Sequence, residues 1–277
     1  MREVLGGVQG RGTVIIGEGE KDEAPMLHNG ETLGDGQGPE FDIAVDPLEG
    51  TDLCADGLPG ALTTIAVAEG GSLWSPGAAL YMDKLVVGPQ AREVIDLRES
   101  PEENLRRVAE ALGRSVEEMR VVVLDKPRHE SLVARLREAG AAVSTPSAGD
   151  VAGALAALLP GGGAHMLMGV GGTPEGVMTA CAVAALGGGM QGRLAPQLDE
   201  EVRALKEAGA DTDRVLELED LVGGSASFVA TGVSGGELLR RPWWSDGQWF
   251  TESIVIAPDE VRRVVEGERE REGAQGR

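Results

Sequence analysis

The chain has 277 residues and a formal net charge of −21, from 46 acidic and 25 basic side chains. This length predicts one large domain or two small ones, with a core large enough to fold without disulfides. So acidic a chain is a poor candidate for binding nucleic acids or anionic membranes, which attract basic patches.

The two cysteines, Cys54 and Cys181, are too few for a disulfide framework, so we expect reduced thiols in a cytoplasmic protein. The longest apolar runs, 151–159 and 177–186, are too short to span a bilayer. We expect no signal peptide, because no charged segment followed by an apolar one opens the sequence. Residues 18–52 hold eleven acidic side chains against one basic one. Apolar, strand-like segments interrupt this acidic block, so a disordered acidic tail does not explain it.

The first half of the chain begins with residues that are typical of a helix end. Residues 1–5 resemble the last turn of a helix and Gly6-Gly7 its C-cap, so we expect further chain upstream. Short β-branched or alternating segments then predict strands at 13–16, 42–45, 62–68 and 84–87.

Strand and helical patterns alternate from residue 116 to residue 187. Strands are predicted at 121–124, 142–144 and 165–170, and helices at 104–112, 131–139, 151–159 and 175–186, with Asp150 as a candidate N-cap. A helix at 198–208, strands at 225–232 and 248–257, and a charged tail at 266–277 that we expect to fray complete the chain. The alternation predicts an α/β protein in which helices cover a sheet.

Two acidic motifs follow predicted strands. The first is GEGE at 17–20, in which Glu18 lies between two glycines; alone, it is more typical of a polar turn. The second is DPLEGT at 46–51, where Asp46 and Glu49 supply two carboxylates and Thr51 supplies a hydroxyl that can orient a water molecule. Hard cations such as Mg²⁺ prefer carboxylate oxygens, so we favour a metal site over a simple Asp-Pro turn.

A basic and a glycine-rich motif follow later strands. In KPRH at 126–129, Lys126 and Arg128 suit a phosphate, although an ordinary surface loop is equally compatible, and His129 is expected to be a loop residue. GVGGTPEG at 169–176 turns into a helix N-terminus, which favours an anion or a metal–phosphate site. Glu175 there either complements the helix dipole or joins Asp46 and Glu49 as a metal ligand.

In order and spacing, these four motifs resemble those of the class II fructose-1,6-bisphosphatases, members of the lithium-sensitive, metal-dependent sugar phosphatase superfamily. The resemblance extends from about Gly12 to about Ala257. It implies a layered α/β/α/β/α sugar-phosphatase fold and dependence on Mg²⁺ or Mn²⁺. It also implies hydrolysis of the 1-phosphate of fructose 1,6-bisphosphate, a sugar bisphosphate of gluconeogenesis.

The same resemblance implies roles for individual residues. The implied metal ligands are Glu18, Asp46, Glu49 and Glu175. Thr51 and Asp46 would be catalytic, with Thr51 positioning and deprotonating the attacking water. The implied sugar-phosphate contacts are Glu49, Gly50, Thr51, Tyr81, Lys126, Pro127, Arg128, Gly149, Asp150 and Gly172.

The sequence departs from the family pattern in two places. The family carries a preceding helical region with a further metal-binding aspartate, and we expect this chain to begin after that region. This chain also has Ala148-Gly149-Asp150 where the family tends to show Asp-Gly-Asp. One expected sugar contact is therefore missing, which affects how strictly the substrate is selected.

Three alternatives stay open: hydrolysis of sedoheptulose 1,7-bisphosphate or an inositol phosphate, an inactive regulator that binds metal or sugar phosphate, and an acidic scaffold protein. We expect residues 1–115 to form a metal-binding domain and residues 116–277 a sugar-phosphate-binding region. Within the latter, 188–277 would pack back on the first domain. We also expect a homo-oligomer, a dimer or a tetramer.

Overall fold

The computed structural model describes residues 1–17, 27–258 and 260–269, and it confirms the α/β class. The helices are α1 (Arg2–Gly6), α2 (Thr51–Ala55), α3 (Pro101–Ala111), α4 (Glu130–Glu138), α5 (Asp150–Leu158), α6 (Thr173–Leu186), α7 (Asp199–Glu207) and α8 (Leu218–Leu221). The strands are β1 (Arg11–Ile16), β2 (Thr32–Leu33), β3 (Glu40–Glu49), β4 (Leu62–Glu69), β5 (Tyr81–Val87), β6 (Arg120–Val122), β7 (Ala142–Ser144), β8 (Met166–Gly172), β9 (Gly189–Leu194), β10 (Val215–Glu217), β11 (Ala226–Gly232), β12 (Trp243–Ser245), β13 (Gln248–Ala257) and β14 (Glu260–Arg269).

The strands form two mixed sheets. The first sheet has the order β12-β13-β11-β4-β3-β1-β2, with β14 also paired to β13. The second sheet has the order β10-β9-β5-β8-β6-β7. The first sheet therefore combines strands from both ends of the chain, and the second is built from the middle. The predicted division into regions 1–115 and 116–277 stays a prediction.

Helices α5 and α6 lie between the two sheets. Helix α6 is apolar around its whole circumference and is buried from Gly176 to Val183, as expected of a helix covered on all sides. One core cluster joins Phe228 of the first sheet and Met82 of the second to Val177 of α6. Burial between two sheets therefore explains why α5 and α6 carry almost no polar side chains.

Helices also pack on the outer side of each sheet, two of them on the second sheet and one short helix on part of the first. On the second sheet, Leu85 packs in a cluster with Leu105 of α3 and Leu136 of α4. On the first sheet, Val14 and Ile43 cluster with Leu5 of the short helix α1. From one side to the other, the layers are helix, sheet, helices, sheet and helices, which confirms the predicted α/β/α/β/α arrangement.

The structure corrects several predicted boundaries. Strand β3 continues past residue 45 through the Asp-Pro motif to Glu49. Asp150 is the first residue of α5 rather than its cap, because Gly149 takes the N-cap position with a φ of 87°. Residues 266–269 belong to β14, which pairs with β13, so this part of the tail does not fray as predicted. The rest of that tail lies outside the described residues.

Both cysteines are free thiols, with Cys181 buried in α6 and Cys54 half-buried in α2. Among the helices of the described ranges, none combines the length and the apolar character that crossing a bilayer would need.

Candidate active site

Strand β3 brings two of the predicted metal ligands together through a bulge. Asp46 lies opposite Thr64 of β4 and Glu49 opposite Leu62, so β3 accommodates one extra residue between the two pairs. Pro47 lies in this bulge, where its missing N–H removes a donor from the strand ladder. In a regular strand, residues three apart point to opposite faces. The extra residue puts both carboxylates on one side.

The third carboxylate comes from the first turn of α6. A side-chain oxygen from each of Asp46, Glu49 and Glu175 lies within 4.8 Å of the others. Glu175 folds back over Gly172, the N-cap residue, where a Cβ atom would lie only 1.7 Å from Glu175 Oε2. A side chain at position 172 would therefore displace the Glu175 carboxylate. Three carboxylates this close could hold a metal ion.

The electrostatics of this cluster fit a cation. Burial raises the pKa of Glu49 well above its ordinary value, and the negative charges of Asp150, Glu175 and Asp46 raise it further. The folded chain thus holds several carboxylates where their ionised forms repel one another. A divalent cation among them would relieve this repulsion, so the donor set fits the metal that the resemblance implies. Asp46 is also held in place, because its Oδ1 accepts a hydrogen bond from the Leu48 N–H at 2.9 Å.

A buried lysine, which we did not predict, borders the cluster. Lys84 lies on β5, and its Nζ donates hydrogen bonds to the Asp150 carboxylate and to the Gly172 carbonyl, the latter at 2.9 Å. The sequence carries a signal for it, because Lys84 alternates with Met82 and Val86 on a strand face that is otherwise apolar. A charged residue in that pattern must find a partner inside the protein.

The chain leaves the acidic cluster through a tight turn. Gly50 has a φ of 74°, which glycine adopts without strain, and it forms the N-cap of α2. Thr51 follows as the first helical residue and is exposed to solvent. The residue predicted to orient the nucleophile thus lies two positions beyond Glu49 and is accessible to solvent.

The basic loop meets Tyr81 at the carboxyl end of β8. Lys126 precedes a short 3₁₀ turn, and Arg128 in that turn donates from Nη2 to the Val170 carbonyl at 2.8 Å. The Arg128 guanidinium carbon lies 5.4 Å from the centre of the Tyr81 ring, within cation–π range. The structure therefore brings Arg128 and Tyr81 together, two sugar-phosphate contacts that the resemblance implies.

His129 is a packing residue rather than the loop residue that we expected. Its side chain is buried, Nε2 accepts a hydrogen bond from the Val170 N–H at 2.8 Å, and Nδ1 donates to the Leu124 carbonyl at 2.7 Å. These two bonds need the neutral ring protonated on Nδ1. His129 thus ties the end of β8 to the segment that precedes the basic loop.

A second unpredicted residue, Glu201, anchors the strand that carries Tyr81. Glu201 lies buried on α7, and its Oε1 accepts hydrogen bonds from the Leu80 and Tyr81 N–H groups at 2.6 and 2.8 Å. Its Oε2 accepts a third bond from the Gln197 N–H at 2.9 Å. The charged pattern of α7 gave no signal for this contact, because most acidic residues of that helix are exposed.

Of the remaining predicted site residues, some lie at the start of α5 and one lies outside the described residues. Glu18 lies outside the described residues. Gly149 and Asp150 form the start of α5. A cavity of about 460 Å³ adjoins them, with Leu53, Ala148, Gly149 and Leu238 among its lining residues.

Comparison with known proteins gives consistent matches over nearly the whole chain. A sequence model of the family described as bacterial fructose-1,6-bisphosphatase, glpX-encoded, matches residues 1–269. A protein of Synechococcus sp. (strain JA-3-3Ab) named D-fructose 1,6-bisphosphatase class 2/sedoheptulose 1,7-bisphosphatase is 42% identical over 284 residues, covering 93% of this chain and 81% of the relative. A protein of the same name from Prochlorococcus marinus (strain NATL1A) is 38% identical over 291 residues, covering 99% of this chain and 87% of the relative.

Proposed function

Because the chain belongs to the family of bacterial class II fructose-1,6-bisphosphatases, we propose that it hydrolyses the 1-phosphate of fructose 1,6-bisphosphate to fructose 6-phosphate and phosphate. The observation that carries this proposal is the convergence of Asp46, Glu49 and Glu175, whose side-chain oxygens lie within 4.8 Å of one another. The reaction would serve gluconeogenesis in the cytoplasm, in a dimer or a tetramer.

Asp46, Glu49 and Glu175 would hold Mg²⁺ or Mn²⁺, and Glu18 would join them by its place in the sequence motif. A divalent cation bound there would lower the pKa of a water molecule and neutralise charge on the phosphoryl oxygens. Glu49 would release its proton on binding, and the cation would offset the carboxylate repulsion that raises its pKa.

Thr51 orients the attacking water. Thr51 is exposed at the start of α2, two residues beyond Glu49, and its Oγ1 would accept a hydrogen bond from that water. The water attacks phosphorus in line with the departing sugar oxygen, so the bond between phosphorus and the C1 oxygen breaks. Asp46 would help to take up the proton of that water, and a proton returned to the departing C1 oxygen completes the hydroxyl of fructose 6-phosphate.

The basic loop would hold the phosphate that is not cleaved. Lys126 and Arg128 supply the positive charge, and Arg128 is already oriented by its bonds to Val170 and its contact with Tyr81. Because the guanidinium is preset, less conformational freedom is lost when the phosphate binds. Pro127 fixes the loop, and Gly50, Gly149, Asp150 and Gly172 would line the sugar site.

Sedoheptulose 1,7-bisphosphate is the second candidate substrate. The names of the relatives include this activity. In addition, Ala148 stands where the family tends to show an acidic residue, which removes one sugar contact and with it part of the selectivity for the shorter substrate.

Phosphate release from fructose 1,6-bisphosphate, sedoheptulose 1,7-bisphosphate and inositol 1-phosphate, each with Mg²⁺, Mn²⁺ or EDTA, tests the proposal. We expect release from the first two with a divalent cation and none with EDTA. Release from inositol 1-phosphate alone would overturn the substrate assignment. Tight binding of the bisphosphates without phosphate release would instead favour the inactive regulator.

A further inference from the structure

Lys84 lies in the protein interior, where burying a charged group is energetically unfavourable. Within residues 1–17, 27–258 and 260–269, it is the one lysine or arginine with a buried side chain, and only 2% of it is exposed. Its directly opposite neighbours on the two adjoining strands are both glycines, Gly169 on β8 and Gly192 on β9. An ammonium group in such a place is strongly disfavoured unless it is paired and hydrogen-bonded.

The surrounding glycines leave a slot for this side chain. A Cβ atom at Gly171 would lie 2.1 Å from Asp150 Oδ2 and 2.9 Å from Lys84 Nζ. One at Gly176, on the first turns of α6, would lie 3.1 Å from Lys84 Cδ. The glycine-rich motif thus has a second role besides forming the N-terminus of α6. Its missing side chains leave space for Lys84 and Asp150.

Lys84 contacts the two helix starts that border the proposed active site, those of α5 and α6. Through Asp150 it reaches the start of α5, and through the Gly172 carbonyl it reaches the N-cap of α6, the helix that carries Glu175. Gly172 is also the residue over which the Glu175 carboxylate folds, so the ammonium lies beside the turn that carries this ligand. The ammonium therefore lies in the field of the same carboxylates that a divalent cation would bind.

We propose that Lys84 is a positioning residue that serves as the resident cation of the site, holding Asp150 and the start of α6 in place and offsetting part of the carboxylate charge before divalent cations bind. The inference deepens the proposed function and rests on its metal site. Lys84 and the added cation would then each offset part of the electrostatic repulsion among the carboxylates in the folded state. Removing Lys84 should make the fold depend more strongly on that cation.

Thermal unfolding of the full chain with EDTA and with saturating Mg²⁺, in the absence of substrate, tests this inference. A cation that binds only the folded chain raises Tm, and the rise grows with affinity. We expect Lys84→Met to lower Tm markedly in EDTA, because Asp150 loses its buried partner. Its Mg²⁺-induced rise should be at least about 3 °C larger than that of the wild type.

Two further variants keep the inference testable if Lys84→Met does not fold. Asp150→Asn removes one negative charge and should reduce the Mg²⁺-induced rise, and the double variant Lys84→Met/Asp150→Asn restores the charge balance. The predicted order of the rise is Lys84→Met, then wild type and double variant together, then Asp150→Asn. A purely structural ion pair would change Tm in EDTA without producing this order.

Lys206→Met is the matched control, because Lys206 is exposed on α7 and should leave the rise unchanged. Equal Mg²⁺-induced rises in the wild type, Asp150→Asn and the double variant would overturn the assignment of Lys84. A wild-type chain that shows the predicted order but releases no phosphate would refute only the proposed function. A wild-type chain with no rise at all would refute both.

Discussion

Asp46 and Glu49 are three residues apart on strand β3, yet side-chain oxygens of the two lie within 4.8 Å of each other. The one-residue bulge at Pro47 makes this possible, because it returns Glu49 to the face on which Asp46 lies. The Thr63 hydroxyl braces the bulge by donating a hydrogen bond to the Pro47 carbonyl at 2.8 Å. The local irregularity of the strand is thus what creates a pair of neighbouring carboxylates.

Replacement of Glu49 by Gln should stabilise the metal-free chain and weaken its binding of Mg²⁺. In EDTA near neutral pH, we expect Glu49→Gln to raise Tm by about 2–4 °C, because the folded wild type must either protonate Glu49 above its unfolded pKa or hold its charge beside three carboxylates. With Mg²⁺, its Tm should rise much less than that of the wild type. Glu40→Gln is the matched control, since Glu40 lies exposed on the same strand and should behave as the wild type does. A lower Tm for Glu49→Gln in EDTA would contradict this account of the cluster.

Substitution of Gly172 tests the placement of Glu175. The backbone at Gly172, with φ −66° and ψ 141°, suits any residue, so Gly172→Ala introduces no backbone strain. Its Cβ atom would nevertheless displace the Glu175 carboxylate, and we expect the Mg²⁺ concentration for half-maximal stabilisation to rise at least tenfold, or about 1.4 kcal/mol. Gly6→Ala, where a Cβ atom meets nothing within 4 Å, is the control. An unchanged Mg²⁺ requirement would show that Glu175 does not need its observed position.

The pH dependence of the metal-free chain should report on Glu49. Its pKa is raised in the folded state, so folding favours the protonated form. The stability that this group contributes is therefore full below the unfolded pKa of about 4.5 and is lost as pH rises through the folded pKa. In EDTA, the Tm of Glu49→Gln should match that of the wild type at about pH 4, below the unfolded pKa, and exceed it increasingly towards pH 8. A constant difference across this range would rule out the assigned shift.

Much of the fold follows from apolar patterns that sequence reasoning can read. Strand β13 and strand β7 have the predicted bounds, and α6 differs only by its first turn. The strand β14 was missed because its charged residues resemble a solvated tail; pairing with β13 rather than local pattern makes it a strand. Tertiary contacts decide such edge strands, and a local pattern carries no information about them.

The site was predictable in its residue types and not in its internal contacts. Carboxylates at strand ends and the turn before α6 pointed to Asp46, Glu49 and Glu175 without their distances. Lys84 was not recognised, because its partner Asp150 is 66 residues away along the chain. His129 was misassigned for a similar reason, since its hydrogen bonds reach Val170, on a strand that its neighbouring sequence does not reveal.

Phosphate release by Glu175→Gln tests the central claim, that the carboxylates of β3 and α6 form the cation site of a bisphosphatase. With fructose 1,6-bisphosphate and saturating Mg²⁺ or Mn²⁺, the wild type and the Glu40→Gln control should release phosphate. Glu175→Gln should be at least about a hundredfold slower while keeping a cooperative unfolding transition, since it loses a ligand from the metal site. A Glu175→Gln chain that releases phosphate at the wild-type rate would contradict the account.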